Sequence, residues 1–377
     1  MKYFEEDIEN QIVKVNALIR EQKLSVVAGD ILEQFEFLCS NLFGSKEGVA
    51  TCNGTSALHL AFFAINITKG DEIIVPTYGY HAMVVPICQL GGIPVFCDVF
   101  EDTLTINTEE LEKIINRKTK ALLIHQPWGN LSNVDRLIEI KEKYNLYLIS
   151  DSSHAHGAKW NNLPLGRYYD IICASFGKDK LISGGELGIA TMNSVEIRDR
   201  MLLYGHVNRV PFDLKCKRYK YLDNAIGIKY RPHALAMAIA IEQMETFPSR
   251  IRRVTDNITL FKDQLKDLRN IRFLNSFDLA CRVYWKVILI VDVESKQESL
   301  KNLMKENEIP FEENHYNPLL HENSIFTEFY GIQSKGYYPI AEKLKSKICQ
   351  LSAYLFYCDK DLSRLVEVFR EIDRKLG

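Results

Sequence analysis

The sequence of 377 residues lacks any apolar run that could cross a membrane. Its longest apolar stretches fall well short of the roughly 18 residues that a membrane helix requires. The opening residues, MKYFEEDIEN, are acidic where a secretory signal would be basic and then apolar. We therefore expect a cytoplasmic protein with no membrane partner.

The sequence also lacks an excess of charge of one sign, because 47 Lys and Arg residues nearly balance 49 Asp and Glu residues. A net charge of −2 produces no broad field that would attract a polyanion. Nucleic acid is therefore not expected as a partner, and the expected substrate is small.

No C-x-x-C pair occurs among the nine cysteines, which lie scattered in apolar stretches. This pattern is typical of reduced cysteines in a cytosolic protein. The nucleotide-binding loops G-x-x-x-x-G-K-[ST] and G-x-G-x-x-G are absent as well, which argues against a simple nucleotide-binding protein.

From residue 50 onward, short apolar runs alternate with helical patterns. This alternation predicts an α/β protein with a mostly parallel sheet covered by helices on both faces. The predicted strands are residues 72–75, 94–98, 121–125, 147–150, 171–176 and 188–191, and the predicted helices between them are residues 56–67, 82–90, 108–116 and 133–144. In such sheets, ligands bind beyond the carboxyl ends of the strands.

The length of the chain predicts more than one domain, since it exceeds what one ordinary core supports. The alternation stops around residues 246–249, after a helical stretch at 232–244. A second pattern then begins with a long amphipathic helix at 251–268 and continues through a strand at 284–293, a helix at 297–307 and a final helix from Asp361. We predict an N-terminal helix and arm at residues 1–29, a large domain at residues 30–247 and a smaller C-terminal α+β domain at residues 248–377.

A carboxylate and an amine follow two predicted strands. Asp151 comes directly after strand 147–150, and Lys180 lies in the glycine-rich loop FGKDKLISGGELG. Taken singly, a strand-end Asp is usually a helix cap or a loop hydrogen-bonding group, and a loop Lys is usually solvated. Together they suit pyridoxal 5′-phosphate, because the amine can form a Schiff base while the carboxylate keeps the pyridine nitrogen protonated.

That cofactor also needs a phosphate site. The segment CNGTSALHLAFFAI opens a predicted helix with Gly54, Thr55 and Ser56, and Ser175 near the end of strand 171–176 can add a hydroxyl donor. Free N–H groups at a helix N-terminus favour an anion, although the same tripeptide is a common N-cap.

Aromatic residues follow two other predicted strands. Tyr80 lies after strand 72–75 and can cover the cofactor ring, although a tyrosine in a loop more often only packs. Trp128, in HQPWGN after strand 121–125, fits core packing as well as a site.

Six segments in order resemble motifs of the DegT/DnrJ/EryC1/StrS family of pyridoxal-phosphate sugar aminotransferases. They are NGTSALHLAFFAI, GDEIIVPTYGYHA, GGIPVFCDV, DSSHAHGA, SFGKDK followed by SGGELG, and GIKYRPHALAMAIAIEQM. The resemblance covers most of residues 25–260 and continues weakly through HYNPLLH and PIAEKL. It implies the aspartate aminotransferase fold (fold type I), a homodimer with shared active sites, and amination of a keto sugar by L-glutamate.

The resemblance also implies roles for single residues. Lys180 matches the Schiff-base lysine, Asp151 the partner of the pyridine nitrogen, and Tyr80 the stacking aromatic. Dehydratases of the family have histidine at the position of Lys180, so the lysine implies transamination. The remaining cofactor contacts that the resemblance implies are Gly54, Thr55, Ser56, Ser175 and His154, the last at a position that is commonly Gln and sometimes His.

Two positions depart from the family pattern. Lys229, in GIKYR, stands where relatives often have an Asn that reaches the phosphate from the partner subunit. A lysine can still meet the phosphate as a point charge. The loop SGGELG replaces the more common GEGG, which bears on the substrate that the site admits.

The sequence therefore leaves alternatives for the ketone acceptor and for the class of protein. The resemblance to the family implies that the acceptor is a nucleotide-linked keto sugar of surface-polysaccharide or natural-product biosynthesis. The alternative acceptor is a small phosphorylated ketone such as dihydroxyacetone phosphate. His321 is a candidate substrate contact, because the family's small-domain loop reaches toward the substrate, and His315 lies in the same loop. A non-catalytic regulatory protein that binds the cofactor is the alternative of another class, but a DNA-binding pattern expected of it is not found.

A metal site is the remaining alternative, since Asp151, His154 and His156 have spacings similar to those of metal ligands. No additional Cys/His cluster supports this interpretation, and the aspartate already has a better role. We therefore predict no metal.

Overall fold

The computed structural model describes residues 8–26, 30–210, 225–334, 336–357 and 362–377. The strands in chain order are β1 (Glu47–Thr51), β2 (Glu72–Pro76), β3 (Ile93–Cys97), β4 (Thr119–His125), β5 (Tyr147–Asp151), β6 (Lys159–Trp160), β7 (Leu163–Pro164), β8 (Ile171–Ser175), β9 (Gly188–Met192), β10 (Arg272–Phe273), β11 (Ala280–Cys281), β12 (Lys286–Ile290), β13 (Glu312–Glu313) and β14 (Ile348–Ser352). The α-helices are α1 (Ile8–Arg20), α2 (Ile31–Phe43), α3 (Gly54–Ala64), α4 (Val85–Gln89), α5 (Thr108–Ile114), α6 (Val134–Tyr144), α7 (Val195–Gly205), α8 (Ala234–Gln264), α9 (Glu294–Glu306), α10 (Pro339–Leu344) and α11 (Leu362–Leu376).

The large sheet has seven strands in the order β1-β9-β8-β5-β4-β2-β3. Strands β3, β2, β4, β5 and β8 pair in parallel, whereas β9 runs antiparallel to both of its neighbours. The six strands predicted from the sequence are confirmed to within two residues at each end. Strand β1 was not predicted, because the sequence alternation becomes visible only from residue 50.

Helices cover both faces of the large sheet, as the alternation predicted. Leu123 packs in the cluster that includes residues of α3 and α7, while its neighbours Leu122 and Ile124 pack in the cluster that includes residues of α2 and α6. Successive side chains of a strand point to opposite faces, so apolar residues in sequence supply two cores at once.

The small sheet has the order β10-β12-β14-β13, and all its pairs are antiparallel. One face carries Val287 and Leu289 into a core with α9, α11 and the second half of α8. The other face carries Ile288 and Ile290 into the core of the large sheet. The small sheet therefore packs directly against the large one. A third sheet has the order β11-β6-β7 and pairs strands from two distant parts of the chain.

The predicted break between two helices around residues 246–249 is wrong. Helix α8 runs without interruption from Ala234 to Gln264 and contains Pro248. A proline inside a helix removes one backbone hydrogen bond, which is why the sequence suggested an end. Phe247 is buried in the core of the large sheet and Val254 in that of the small sheet, so packing on both sides of the proline holds the helix together.

The domain boundary at 247/248 stays a prediction, and it falls inside this shared helix. The predicted start of the last helix, Asp361, lies outside the described residues, and α11 begins at Leu362. No helix in the described ranges combines the length and the apolar content needed to span a membrane.

Candidate active site

Strands β4, β5 and β8 end side by side at one edge of the large sheet. The register places His125 opposite Asp151, and Asp151 opposite Cys173. Since these strands are parallel, their carboxyl ends share the edge at which such sheets bind ligands.

A cavity of about 720 Å³ opens at this edge. The predicted site residues that line it are Gly54, Thr55, Tyr80, Asp151, His154, Ser175 and Lys180. Three other predicted contacts are not part of its lining: Ser56, Lys229 and His321.

Lys180 follows β8, and its backbone N–H donates to the carbonyl of Gly177 over 3.1 Å. Its Nζ lies 4.6 Å from the centre of the Trp285 ring. Burial lowers the pKa of Lys180 to about 8, against the opposing attraction of Asp151. Near neutral pH, a useful fraction of this amine is therefore unprotonated, as a lysine that attacks a carbonyl must be.

Asp151 is a buried carboxylate held by its neighbours. Its Oδ1 accepts the backbone N–H of Ser153 over 3.1 Å, and its Oδ2 lies 3.9 Å from Nδ1 of His125. This Nδ1 makes no hydrogen bond among the described residues. Burial lowers the pKa of His125 to about 4, so the imidazole is neutral at pH 7.

His154 is stacked on Trp285 with 3.7 Å between ring centres and 16° between ring planes. Its Nδ1 accepts the backbone N–H of Trp128 over 3.3 Å, which places the proton of the neutral ring on Nε2. Burial, with Lys180 next in effect, holds the pKa of His154 well below its usual value. The ring is therefore a neutral hydrogen-bond donor at the cavity wall.

The anion site at the start of α3 is formed by the Asn53 cap. The Asn53 side chain accepts the N–H of Ser56 over 2.8 Å, which leaves the N–H groups of Gly54 and Thr55 without a partner among the described residues. These N–H groups and the positive end of the helix favour a phosphate. Ser175 can add its hydroxyl, whose oxygen accepts the N–H of Gly177 over 3.1 Å.

Two glycines allow this helix end to approach the sheet. A Cβ on Gly54 would lie 2.8 Å from the Cβ of Ser175, and a Cβ on Gly188 would lie 2.3 Å from the carbonyl of Asn53. Neither distance is tolerated by a real side chain, so glycine at these two positions sets the position of the anion site.

The three residues outside the lining have other partners or surroundings. Ser56 lies behind the wall, where its hydroxyl is 3.3 Å from Sγ of Cys52. His321 joins the end of β2 to α10 through hydrogen bonds to Thr77 and Glu342, and its predicted substrate contact stays a prediction. Lys229 is exposed on the single chain.

Several cavity residues were not singled out from the sequence. They are His125, Trp285, Lys286, Glu312 and Tyr316, and His315 lines the cavity in place of His321. His125 is the last residue of β4, as Asp151 is of β5, so its position at a strand end was one usable signal. The lysine in YWKVILIV, an otherwise apolar strand, was a second usable signal. Trp128 belongs to the core, where its Nε1 donates to Gln350.

The histidines of DSSHAHG do not converge on one point. His156 points away from the cavity and shares a hydrogen bond of 3.0 Å with the carbonyl of Ser175. Across the described ranges, no group of three His, Cys, Asp or Glu side chains is arranged to hold a metal ion.

The model of the DegT/DnrJ/EryC1/StrS aminotransferase family matches residues 5–370. The chain belongs to this family. The GDP-perosamine synthase of Vibrio cholerae is similar to it at 27% identity over 339 residues, which cover 89% of each chain. The resemblance found in the sequence and the prediction of an aminotransferase are confirmed.

Two solved structures show the same fold. The aminotransferase from Psychrobacter cryohalolentis has a TM-score of 0.89 at 21% identity over 97% of both chains. The GDP-4-keto-6-deoxy-D-mannose-3-dehydratase of E. coli, solved with hydrated pyridoxal phosphate, has a TM-score of 0.84 at 22% identity over 95% of this chain and 96% of that one. The predicted fold class is thereby confirmed. The predicted cofactor, pyridoxal 5′-phosphate, is confirmed by membership of the aminotransferase family.

The cavity fits that cofactor on its own features. An amine of lowered pKa, a buried carboxylate and an uncommitted helix N-terminus line one space. These are the groups that an aldehyde, a pyridine nitrogen and a phosphate require.

Proposed function

We propose that this aminotransferase moves the amino group of L-glutamate to a keto sugar carried on a nucleotide, in the biosynthesis of a surface polysaccharide or natural product. The observation that carries the proposal is the placement of Lys180 and Asp151 in one cavity with the start of α3. The name of the similar V. cholerae enzyme supports a GDP-linked sugar as the acceptor.

Each group of the cavity has a separate role in this reaction. Lys180 would hold the cofactor through its Nζ, and the same amine is placed to take or give a proton at the substrate Cα. Asp151 stabilises a protonated pyridine nitrogen, while the N–H groups of Gly54 and Thr55, with the hydroxyl of Ser175, bind the phosphate. The bound cofactor withdraws electrons from the substrate Cα.

The walls of the cavity orient the ring. His154 would offer its Nε2–H to the bound cofactor, and the stacked Trp285 fixes the orientation of the imidazole. Tyr80, which is 54% exposed, lines the cavity and would supply an aromatic face to the ring. Its exposure leaves it free to adjust when a large acceptor enters.

The proposal includes a homodimer whose second subunit completes the site. Apolar side chains near Lys229 support it, because Ile226 and Ile228 are 47% and 55% exposed on the single chain. Large apolar side chains grouped at a surface are typical of a protein interface. The cytoplasmic location stays a prediction from the sequence.

The test uses purified holoenzyme with L-glutamate and a panel of acceptors, while the release of 2-oxoglutarate is followed. GDP- and deoxythymidine-linked keto sugars are compared with small phosphorylated ketones such as dihydroxyacetone phosphate. We expect turnover with a nucleotide-linked sugar. Turnover with the small ketone alone would replace the proposed acceptor, and no release with any acceptor would contradict transamination of this class of ketones.

A further inference from the structure

The cavity wall opposite the large sheet contains a buried lysine. Lys286 is the first residue of β12 and is 2% exposed. It lies on the same face of the small sheet as Ile288 and Ile290, which enter the core of the large sheet. Ile288 and Ile290 fill that core, whereas Lys286 lines the cavity.

The partner of Lys286 is a carboxylate of β13, which lies beyond β14 in the same sheet. Nζ of Lys286 donates to Oε1 of Glu312, and Oε2 of Glu312 lies 2.8 Å from Nε2 of His315. The hydrogen bond from His315, with Lys286 adding to it, lowers the pKa of Glu312 to about 2. Glu312 is thus ionised, and its side chain is 31% exposed, so it can turn toward solvent.

Lys286 is also close to the reacting amine. Its Nζ lies 5.0 Å from the centre of the Trp285 ring, and Nζ of Lys180 lies 4.6 Å from the same centre. The two Nζ atoms are therefore no further apart than these two distances combined. An amino acid whose Cα reacts at Lys180 can therefore place a carboxylate at Nζ of Lys286.

An aminotransferase of this kind binds two different molecules in one place. The donor brings carboxylates, whereas a keto sugar brings hydroxyl groups to the same wall. A cation that serves only the donor would stay buried and unpaired when the sugar binds, which is strongly unfavourable. A carboxylate of the protein that pairs with the cation between donors removes this difficulty.

We propose that Lys286 binds a carboxylate of the amino donor and that Glu312 is its exchangeable counterion. When the donor is bound, its carboxylate replaces Glu312 at Nζ, and Glu312 keeps its hydrogen bond to His315. When the acceptor is bound, Glu312 pairs with Lys286 again. This inference rests on the proposed use of an amino-acid donor and adds the residues that recognise it.

The test measures the binding of glutarate to the holoenzyme by calorimetry, since glutarate has the two carboxylates of the donor and no amine that reacts. Lys286→Met should weaken glutarate binding by roughly tenfold or more, the size of a lost charge-assisted hydrogen bond. The matched control is Lys301→Met, which removes the cation paired with the neighbouring Glu313 but outside the cavity lining. It should leave glutarate affinity unchanged.

Glu312→Gln should change the affinity for glutarate in the opposite direction. With the competing carboxylate removed, Lys286 is freed for the ligand, and glutarate should bind several-fold more tightly than to the wild type. A salt bridge of purely structural importance would make both variants bind more weakly or leave both unchanged, and either result would overturn the proposal. Circular dichroism of each variant checks that it is folded.

GDP serves as the second probe, because the cation could otherwise serve a nucleotide phosphate. Lys286→Met should leave GDP affinity within about twofold of the wild type. Loss of GDP binding with unchanged glutarate binding would assign Lys286 to the acceptor and overturn the proposal. Because these measurements need no turnover, they are separate from the acceptor panel that tests the proposed function.

Discussion

The hydroxyl of Tyr316 lies 3.0 Å from Nε2 of His125, and this contact joins the loop after β13 to the end of β4. The same hydroxyl is 3.4 Å from Nδ1 of His154. Tyr316 is buried against Tyr78 and Trp128. One phenol thus couples the loop of the small sheet to the two imidazoles nearest Asp151.

Tyr316→Phe should destabilise the protein, since it leaves the buried Nε2 of His125 without its hydrogen bond. We expect the free energy of unfolding to fall by about 1–3 kcal/mol, measured by urea denaturation. Tyr147→Phe is the control, because the hydroxyl of Tyr147 makes no hydrogen bond among the described residues. Equal stability of the two variants would show that the contact with His125 contributes nothing.

Asp151→Asn keeps the shape of the side chain and removes its charge. The variant should retain the cofactor but lose turnover by on the order of 10²-fold, because an unprotonated pyridine is a poorer electron acceptor. Asp179→Asn, an exposed aspartate of the same cavity, serves as the control and should keep most of its activity. Steady-state rates near those of the wild type in Asp151→Asn would remove this residue from the mechanism.

Lys180 should be the residue that carries the cofactor. Borohydride reduction of the yellow holoenzyme, followed by peptide mapping, should find the pyridoxyl group on Lys180. Lys178, exposed in the same cavity, is the internal control and should be unmodified. A label on any other lysine would disprove the assignment.

The pKa of Lys180 gives the pH dependence of cofactor capture by the apoenzyme. Burial lowers this pKa to about 8, so the neutral amine increases with pH up to that value and is then saturated. The rate of capture, followed by visible absorbance, should rise roughly tenfold per pH unit below 8 and level off above it. A rate that keeps rising past pH 10 would indicate a lysine of ordinary pKa.

Lys229 should contact the cofactor phosphate of the second subunit, if GIKYR crosses the dimer interface as the resemblance implies. Lys229→Ala should then speed cofactor dissociation, and Lys229→Asn, which restores the more common residue, should slow it again. A raised Michaelis constant for the ketone with unchanged cofactor binding would instead place Lys229 at the acceptor. No change in either would show an ordinary solvated lysine.

Much of the large sheet could be predicted from the sequence alone, because apolar runs and helical patterns are local signals. The same holds for Asp151, Lys180 and the start of α3, whose positions at strand and helix ends follow from the parallel order of the strands. The family motifs then determined the reaction class and the cofactor. All of this information lies in short segments of one large domain.

Only the tertiary structure decided the opposite wall of the cavity. Trp285, Lys286, Glu312 and Tyr316 come from a part of the chain far from Asp151, and although the lysine stands out in an apolar strand, the sequence does not show that these residues face Asp151. The sequence singled out His321 rather than His315, but His321 bonds to Thr77 and Glu342, and His315 lines the cavity. The physical reason is that packing of the small sheet on the large one selects these neighbours, and the free energy of that packing depends on shape and burial across the whole chain.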